Sequence, residues 1–579
     1  MFDRQGDGAL KWSRALGIAL SVIVCALLFG PWLEPARAQN GQNSPNIVLV
    51  PLEATINQNA FMRQEIAPQP ARERTLRGRL GEPIAGVPPE KLKETRFTLT
   101  SVDLQGPDFH LDPAIFTPTW QNLVGKEITL HDLVGVLETI ENIYRKQDYV
   151  VVAKVPPQDY TGGRIRIVAY AIHVSEVVVK GDTARLRGRL DPIFERIKAM
   201  QPLRQTAIYR QLLIVEDLVG GEISAEWYQI ESTQGAARLE VEIPPYPGNL
   251  LLGLDNYGGV NIGPLQASAK ARVHDMLGLF ESTDITVLAN PANPARIAFV
   301  GFAQTVPLGK TGFSLNYGIA NSWSNPGGLA EQVNLHSEVL IANVAINYAL
   351  LRELERNVVV FASLNGNNSS IDALGQPLTR DRSRWVTVGA KYDDVIGGVR
   401  MVLSPSFHHG IDAFQANVPF DDFQVLTLNG GATAELMKGL SAQLLFSGQY
   451  AFNPLPTSVL GFYGGEAFGR GYDPGALAGN DLVSASFQLT QQIDTHLDWL
   501  PELALFGFVD YGAAWNPPPA PAPYEFATLS SAGFGLRVGL GERLIATGLV
   551  AQPLTYDTRL AALGQVQNTR LRFTLGLRF

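Results

Sequence analysis

Cysteine is all but absent: the 579 residues contain one, Cys25. That excludes a disulfide framework and argues against a thiolate metal site in the rest of the chain. Charge is scarce as well. Asp, Glu, Lys and Arg make up 17% of residues, low for a soluble globular chain, and the net charge is −9. An acidic chain is a poor partner for nucleic acid. Enzyme signatures are missing: there is no HExxH, no GxSxG and no P-loop. The histidines are scattered. The one adjacent pair, His408-His409, reads as a solvated strand end more readily than as a metal site. Neither metal nor cofactor is expected, and the chain does not read as an enzyme.

Long apolar runs are also lacking, with one exception near the start. Lys11 and Arg14 precede an almost wholly apolar run from Ala15 to Phe29, and Ala36-Arg37-Ala38 then gives small-x-small spacing. The run is roughly 15 residues, short of the ~20 a helical span needs. Residues 1–38 therefore read as a signal peptide cleaved after Ala38, rather than as a membrane anchor. They carry four cations against three carboxylates, so the remainder is slightly more acidic than the whole. No other stretch is long and apolar enough to cross a membrane as a helix. If this chain is in a membrane, it is there as strands.

Residues 39–95 are polar and rich in Pro, Gln and Arg, a linker composition. From Arg96 the pattern changes. Phe97 and Leu99, then with a phase shift Val102 and Leu104, read as a strand. Thr129-Leu-His-Asp132 reads as a capping box, and Leu133, Val136, Leu137, Ile140, Ile143 and Tyr144 follow at helical spacing. Two strands, Tyr149–Val155 and Arg164–Tyr170, close this unit at 171. Residues 172–246 repeat the order: strand Val174–Val179, helices near Leu190–Met200 and Ala207–Leu218, strands Ile223–Ile230 and Leu239–Ile243. Both read as α+β domains of about 75 residues.

After Pro244-Pro-Tyr-Pro-Gly248 helical periodicity stops. From 249 to 579 the chain alternates instead: Phe313, Leu315, Tyr317 and Ile319 on one face, Ser314, Asn316 and Gly318 on the other. Val483, Ala485, Phe487 and Leu489 do the same, as do Leu571, Phe573, Leu575, Leu577 and Phe579. Period two with small or polar residues on one face suits a transmembrane barrel, and equally a soluble sandwich. Connection lengths separate the two. Counting back from Phe579, 557–567 is long, Gly541-Glu542 tight, Asn516–Ala527 long, Asp494–Pro501 shorter, then comes a long loop, and Asn453-Pro-Leu-Pro456 reads as a short turn before it. Alternate long and short connections are the barrel arrangement, with an even strand number in the mid-teens.

That long loop, Phe462–Asn480, is rich in glycine and carries one central cation, Arg470, between Gly469 and Gly471, followed by Tyr472. Such a run is neither helix nor buried strand. Farther on, Phe506-Gly-Phe-Val-Asp510 alternates so that Phe506, Phe508 and Asp510 share a face. A carboxylate does not face lipid cheaply, so Asp510 faces the lumen and takes Phe506 and Phe508 with it, against the polar-inside rule. Inward aromatics beside a carboxylate make a dock.

Gly469-Arg470-Gly471-Tyr472-Asp473 resembles the lumen-inserted loop (464–481 here) of outer-membrane two-partner secretion transporters, the haemolysin secretion/activation and filamentous-adhesin transporter family of the POTRA-plus-barrel superfamily. The family has Val or Ile where Gly469 stands. The two α+β domains, 96–171 and 172–246, then resemble POTRA domains; Pro156–Asp159 with Gly162-Gly163, and Leu212–Gly221, resemble their loops. The resemblance implies a barrel of 16 strands over 249–579. It implies that Phe508 and Asp510 hold Arg470 by a salt bridge, with Tyr472 packed nearby. In a wet lumen such a pair would be partly desolvated and add about 1 kcal/mol. Phe573 and the terminal Phe579 would be the assembly signal read by the barrel assembly machinery. Residues 39–95 hold the place of a helix that plugs the pore in some relatives, and no convincing helix pattern stands there. The implied setting is the outer membrane of a Gram-negative bacterium, in contact with its lipid, with POTRA domains in the periplasm. The implied function is export of a large secreted partner protein of haemolysin or adhesin type, unfolded in the periplasm and recognised by strand addition, without nucleotide hydrolysis. The alternatives are an insertase of the same superfamily, which carries more POTRA domains, and a passive porin, which needs none.

Overall fold

Thr129 and Asp132 start the helix on which the first N-terminal domain is built. Thr129 N–H donates to Asp132 Oδ2 (2.7 Å) and Asp132 N–H donates back to Thr129 Oγ1 (3.3 Å), which closes a capping box. Helix α1 (Leu130–Lys146) follows, and Leu130, Leu133, Val136, Leu137, Ile140 and Tyr144 form its buried stripe. The computed structural model describes residues 77–79, 83–85 and 87–579, without 108, 110, 182–185, 187, 231–234, 244–247, 419, 519–523 and 560–566. The expected signal peptide, with Ala36 and Ala38, and the first part of the linker lie outside the described residues.

The strand expected across Phe97 to Leu104 is two strands. β2 (Arg96–Thr98) pairs with β4 (Glu127–Thr129), whereas β3 (Ser101–Gln105) pairs parallel with β6 (Arg164–Ala171), which pairs antiparallel with β5 (Val151–Lys154). The phase shift at Leu99–Thr100 is the crossing from one sheet to the other. The second domain repeats this topology. β7 (His173–Gly181) runs parallel to β9 (Ala236–Ile243), which pairs antiparallel with β8 (Ser224–Gln229), under helices α2 (Asp191–Lys198) and α3 (Gln205–Val219).

The linker ends inside these domains. β1 (Arg77–Arg79) adds a parallel strand to the edge of β8, and Ile84 is fully buried in the first domain's core. A linker composition does not betray this, because edge pairing uses backbone groups that every residue carries.

Sixteen antiparallel strands close into a barrel, the first (Asn249–Asp255) pairing with the last (Arg570–Arg578). Leu505, Val509, Phe534 and Leu571 point out and are exposed; Ser484, Ser486, Gln488 and Asp510 point in and are buried. Tight connections at Gly397-Gly398 and Lys438-Gly439 lie at one rim and most of the longer ones at the other, where Leu374-Gly375 is also tight. One expectation fails. Asn453–Pro456 is not a short turn before another barrel strand. Strand Leu440–Ala451 pairs directly with strand Asp481–Gln492 (Leu440↔Gln491, Gln449↔Leu482), so 452–480 is a single long connection. Within it Gly461–Tyr463 and Leu477–Gly479 form a small two-stranded ribbon of their own.

Candidate functional site

The connection 452–480 is buried along most of its length, although it joins two strands at a rim. Its base is tied by amides. Leu455 N–H donates to Asn480 Oδ1 (2.7 Å), and Asn516 Nδ2 donates to the Ala478 carbonyl (3.0 Å). Tyr524 O–H shares the same carbonyl (3.0 Å); burial pushes its phenol up to about 12, so it remains a neutral donor.

At the tip, Arg470 meets the barrel wall. Its Nε and Nη2 donate to Asp510 Oδ2 (3.1 Å) and Oδ1 (2.7 Å), a two-pronged contact. The Arg470 backbone N–H reaches Oδ2 as well (2.9 Å). Nη1 donates to Gln488 Oε1 and Nη2 to Ser486 Oγ, both at 2.8 Å, from the neighbouring strand. The guanidinium carbon lies 3.5 Å from the centroid of the Phe508 ring, within cation–π range. Phe506, on the same face, packs with Phe508, Leu549 and Ala551.

The expectation of a wet lumen is wrong at this point. Arg470 is 1% exposed and Asp510 0%. The loop itself, with Tyr463, Phe468 and Tyr472, fills the space that water would have taken. The pair is therefore a desolvated one. Removing either partner costs about 3–5 kcal/mol, rather than the ~1 kcal/mol of an exposed pair.

The flanking glycines let this contact form. Gly469 has φ +80°, and a Cβ on Gly471 would stand 2.7 Å from Ser531 Cβ on strand Phe526–Leu540. Gly471 N–H instead donates to Ser531 Oγ (3.3 Å). Tyr472 places its hydroxyl 2.8 Å from the Ser530 carbonyl and 2.7 Å from that of Thr555, and can donate to either. Glycine at 469, where the family has Val or Ile, thus suits a left-handed turn.

Ser486 and Gln488 were not legible as partners of Arg470, because they are ordinary inward polar residues on an alternating strand. Nor was Asp473, whose carboxylate is gripped by Arg570 and Arg572 of the closing strand. The signal for these two was available: consecutive inward arginines in Arg570-Leu-Arg572 are unusual in a strand whose other face is apolar. Phe573 and Phe579 share the outward face of that strand. Phe573 N–H donates to Asn256 Oδ1 (2.8 Å), and Phe579 exchanges backbone bonds with Leu250. His408 is no solvated strand end. It lies between Thr387 Oγ1 (2.9 Å) and Thr427 Oγ1 (3.1 Å), while His409 points to the other face, so the two do not converge on one ion.

A family model described as haemolysin secretion/activation protein ShlB/FhaC/HecB matches residues 240–538, and one described as POTRA domain, ShlB-type, matches 97–170. The heme/hemopexin transporter protein HuxB of Haemophilus influenzae is 21% identical over 390 residues, covering 64% of this chain and 68% of that protein. The solved structure of CdiB from Escherichia coli is similar with a TM-score of 0.65 at 16% identity, over 91% of this chain and 97% of that one. BamA from Haemophilus ducreyi, lacking POTRA domains 1–3, is similar at a TM-score of 0.53 and 14% identity, over 83% of this chain and 100% of that one.

Proposed function

The chain belongs to the haemolysin secretion/activation protein family, an outer-membrane transporter that moves a large secreted partner protein through its barrel, and we propose that Arg470 and Asp510 are the working contact of that transport. The POTRA domains stand in the periplasm and meet the partner there; the barrel is the passage. The finer reading concerns the loop. With the tip buried on the wall, 452–480 occupies the lumen, and the barrel at rest is obstructed. Passage of an unfolded chain needs the loop to shift, and a dock made of side-chain contacts on a glycine-flanked tip can open and re-form without unfolding the wall. No step needs a nucleotide: the loop's equilibrium is biased by the entering chain, and folding of the partner outside gives direction.

The observation that carries this reading is the two-pronged, fully buried Arg470–Asp510 contact between a loop and a wall strand. We further propose that outer-membrane lipid covers the exposed band of Leu505, Val509 and Phe534, and that the assembly machinery reads the closing strand with Phe573 and Phe579. The boundaries 96–171, 172–246 and 249–579 are proposed as the two POTRA domains and the barrel. The insertase reading has the BamA likeness in its favour, at a lower score than CdiB. The test is export by Arg470→Ala in cells that make the chain and a candidate partner. Loss of the partner from the medium, with the barrel still folded in outer membranes, supports the dock. Unchanged export overturns it.

A further inference from the structure

The residue after Tyr472 holds the loop a second time, to a different wall. Asp473 is buried; Arg570 Nη2 donates to its Oδ2 (3.0 Å) and Arg572 Nη2 to its Oδ1 (3.3 Å). Arg572 does more. Nη2 also reaches the Tyr472 carbonyl (3.1 Å), Nη1 donates to the Asn256 carbonyl (2.6 Å), and the guanidinium carbon lies 5.1 Å from the Tyr257 ring centroid. Asn256 follows the barrel's first strand. Its side chain crosses back to the closing strand, donating to the Leu571 carbonyl (2.8 Å) and accepting from Phe573 N–H (2.8 Å). One guanidinium thus joins the loop, the end of the first strand and the closing strand.

This junction stands where the barrel is thinly sewn. The first and closing strands pair from Leu251–Asp255 to Arg578–Thr574, extended by the Leu250–Phe579 backbone bonds at one end and by Asn256 N–H to the Phe573 carbonyl (3.3 Å) at the other. On its other side the closing strand pairs from Arg570 to Leu577. Arg570 and Arg572 lie beyond the short ladder, so side chains, rather than a continued backbone ladder, carry much of the seam there. Two like charges two residues apart on one strand face also repel unless a carboxylate sits between them, and Asp473 does.

We propose that Asp473 is a positioning residue that latches the lumen loop to the barrel seam, so that docking of the loop and closure of the first strand against the last are coupled. The latch rests on the reading of the loop as a dock, and it is separate from the Asp510 contact: Asp510 fixes the loop to a wall strand far from the seam in sequence, Asp473 fixes it to the seam. When the loop leaves, the two arginines lose their shared carboxylate, and the grip of Arg572 on Asn256 loosens with it.

The test reads the seam directly, without any partner protein, so it stands apart from whether the chain exports one. In the full-length Cys25→Ser protein, Leu254→Cys and Leu575→Cys make a cysteine pair at register partners across the seam. Disulfide formation is timed in outer membranes under a mild oxidant. Asp473→Asn, which keeps the shape and removes the charge, slows closure at least threefold, and Arg572→Lys does the same. Asp473→Glu returns the rate to within twofold of the parent, which a merely space-filling role would not produce. Asp510→Ala, which frees the tip from the other wall, slows closure less than Asp473→Asn, because the direct contacts of Asp473 with Arg570 and Arg572 remain. Heat-modifiable migration on gels confirms that each barrel is folded. Parent rates in both Asp473→Asn and Arg572→Lys overturn the latch, and so does failure of Asp473→Glu to restore a slowed rate.

Discussion

The backbone N–H and the side-chain Nε of Arg470 close on the same oxygen, Oδ2 of Asp510, while Nη2 takes the other oxygen. A carboxylate that receives both main chain and side chain of one residue fixes the position of the backbone as well as the charge. The loop tip therefore has one place on the wall.

Arg470→Ala and Asp510→Ala are each expected to leave a folded barrel that no longer exports its partner. The sixteen-strand ladder does not depend on the pair, so insertion survives, but the unfolding temperature falls by the equivalent of about 3–5 kcal/mol, the cost of leaving one buried charge alone. The double variant is no worse than either single one, because the residues act as a unit. Arg470→Lys rescues poorly, since an ammonium cannot make the fork. Secreted partner in the medium and heat-modifiable barrel in the membrane are the two measurements; normal export from both single variants refutes the dock.

The residues around the fork grade in importance. Gln488→Leu leaves Nη1 of Arg470 without its acceptor in a dry site, at a cost of about 1.5–3 kcal/mol, and export drops by an order of magnitude. Phe508→Leu keeps an apolar wall but removes the ring under the guanidinium, at about 1–2 kcal/mol, and reduces export less. Quantifying partner export against expression level orders the variants. Equal export from Gln488→Leu and Phe508→Leu would show that the acceptor and the ring weigh the same.

What the sequence made legible follows from which physical signals are strong. Lipid outside and crowding inside force alternation, so the barrel strands and the inward set Phe506, Phe508, Asp510 could be read from parity. A capping box needs particular side chains at fixed spacing, so Thr129–Asp132 could be read too. The extent of the loop could not: Ser458–Tyr463 has strand-like composition, and only the direct register of Leu440–Ala451 on Asp481–Gln492 removes it from the wall. Pairing of β1 on β8 leaves no side-chain trace at all. The dryness of the fork was hidden as well, since it depends on how completely Tyr463, Phe468 and Tyr472 fill the lumen around it.

In the first POTRA domain two carboxylates respond to pH in opposite senses. Hydrogen bonds from the Thr129 backbone and side chain hold Asp132 below the usual carboxylate range. Its contribution is present above its unfolded value and is lost as pH falls through the lower folded one. Burial raises Glu141, whose Oε1 accepts from Ala153 N–H (2.9 Å). The ionised form is penalised there, so its contribution is full below pH 4.5 and lost as pH rises through the raised folded value. Asp132→Asn therefore destabilises a 72–247 fragment at pH 7 by roughly 1 kcal/mol. Glu141→Gln, which keeps an acceptor for Ala153, leaves the fragment as stable or more so at pH 7. Urea midpoints at pH 4 and pH 7 decide, and destabilisation by Glu141→Gln at pH 7 would reverse the assignment.

Glu141 has a second consequence, for recognition of the partner. Strand addition needs a sheet edge with unpaired backbone groups. The edge of β5 is taken: Glu141 holds Ala153 N–H and the Pro83 carbonyl accepts from Val155 N–H. The edge of β8 is covered by β1. Among the described residues β1, β2, β4, β3 and β7 are paired on one side only, but β1, β2 and β4 have three residues each, whereas β3 has five and β7 nine. An unfolded segment of the partner is therefore expected to add along Ser101–Gln105 or His173–Gly181, with micromolar-range affinity for so small a transient contact. Hydrogen exchange of a 72–247 fragment, with and without the partner's N-terminal segment, checks this residue by residue. Slowed exchange in β3 or β7, with β5 and β8 unchanged, is the expected result. Protection appearing in β8, with β1 released, would mean that the chain's own β1 occupies the partner's place at rest and must be displaced before transport begins.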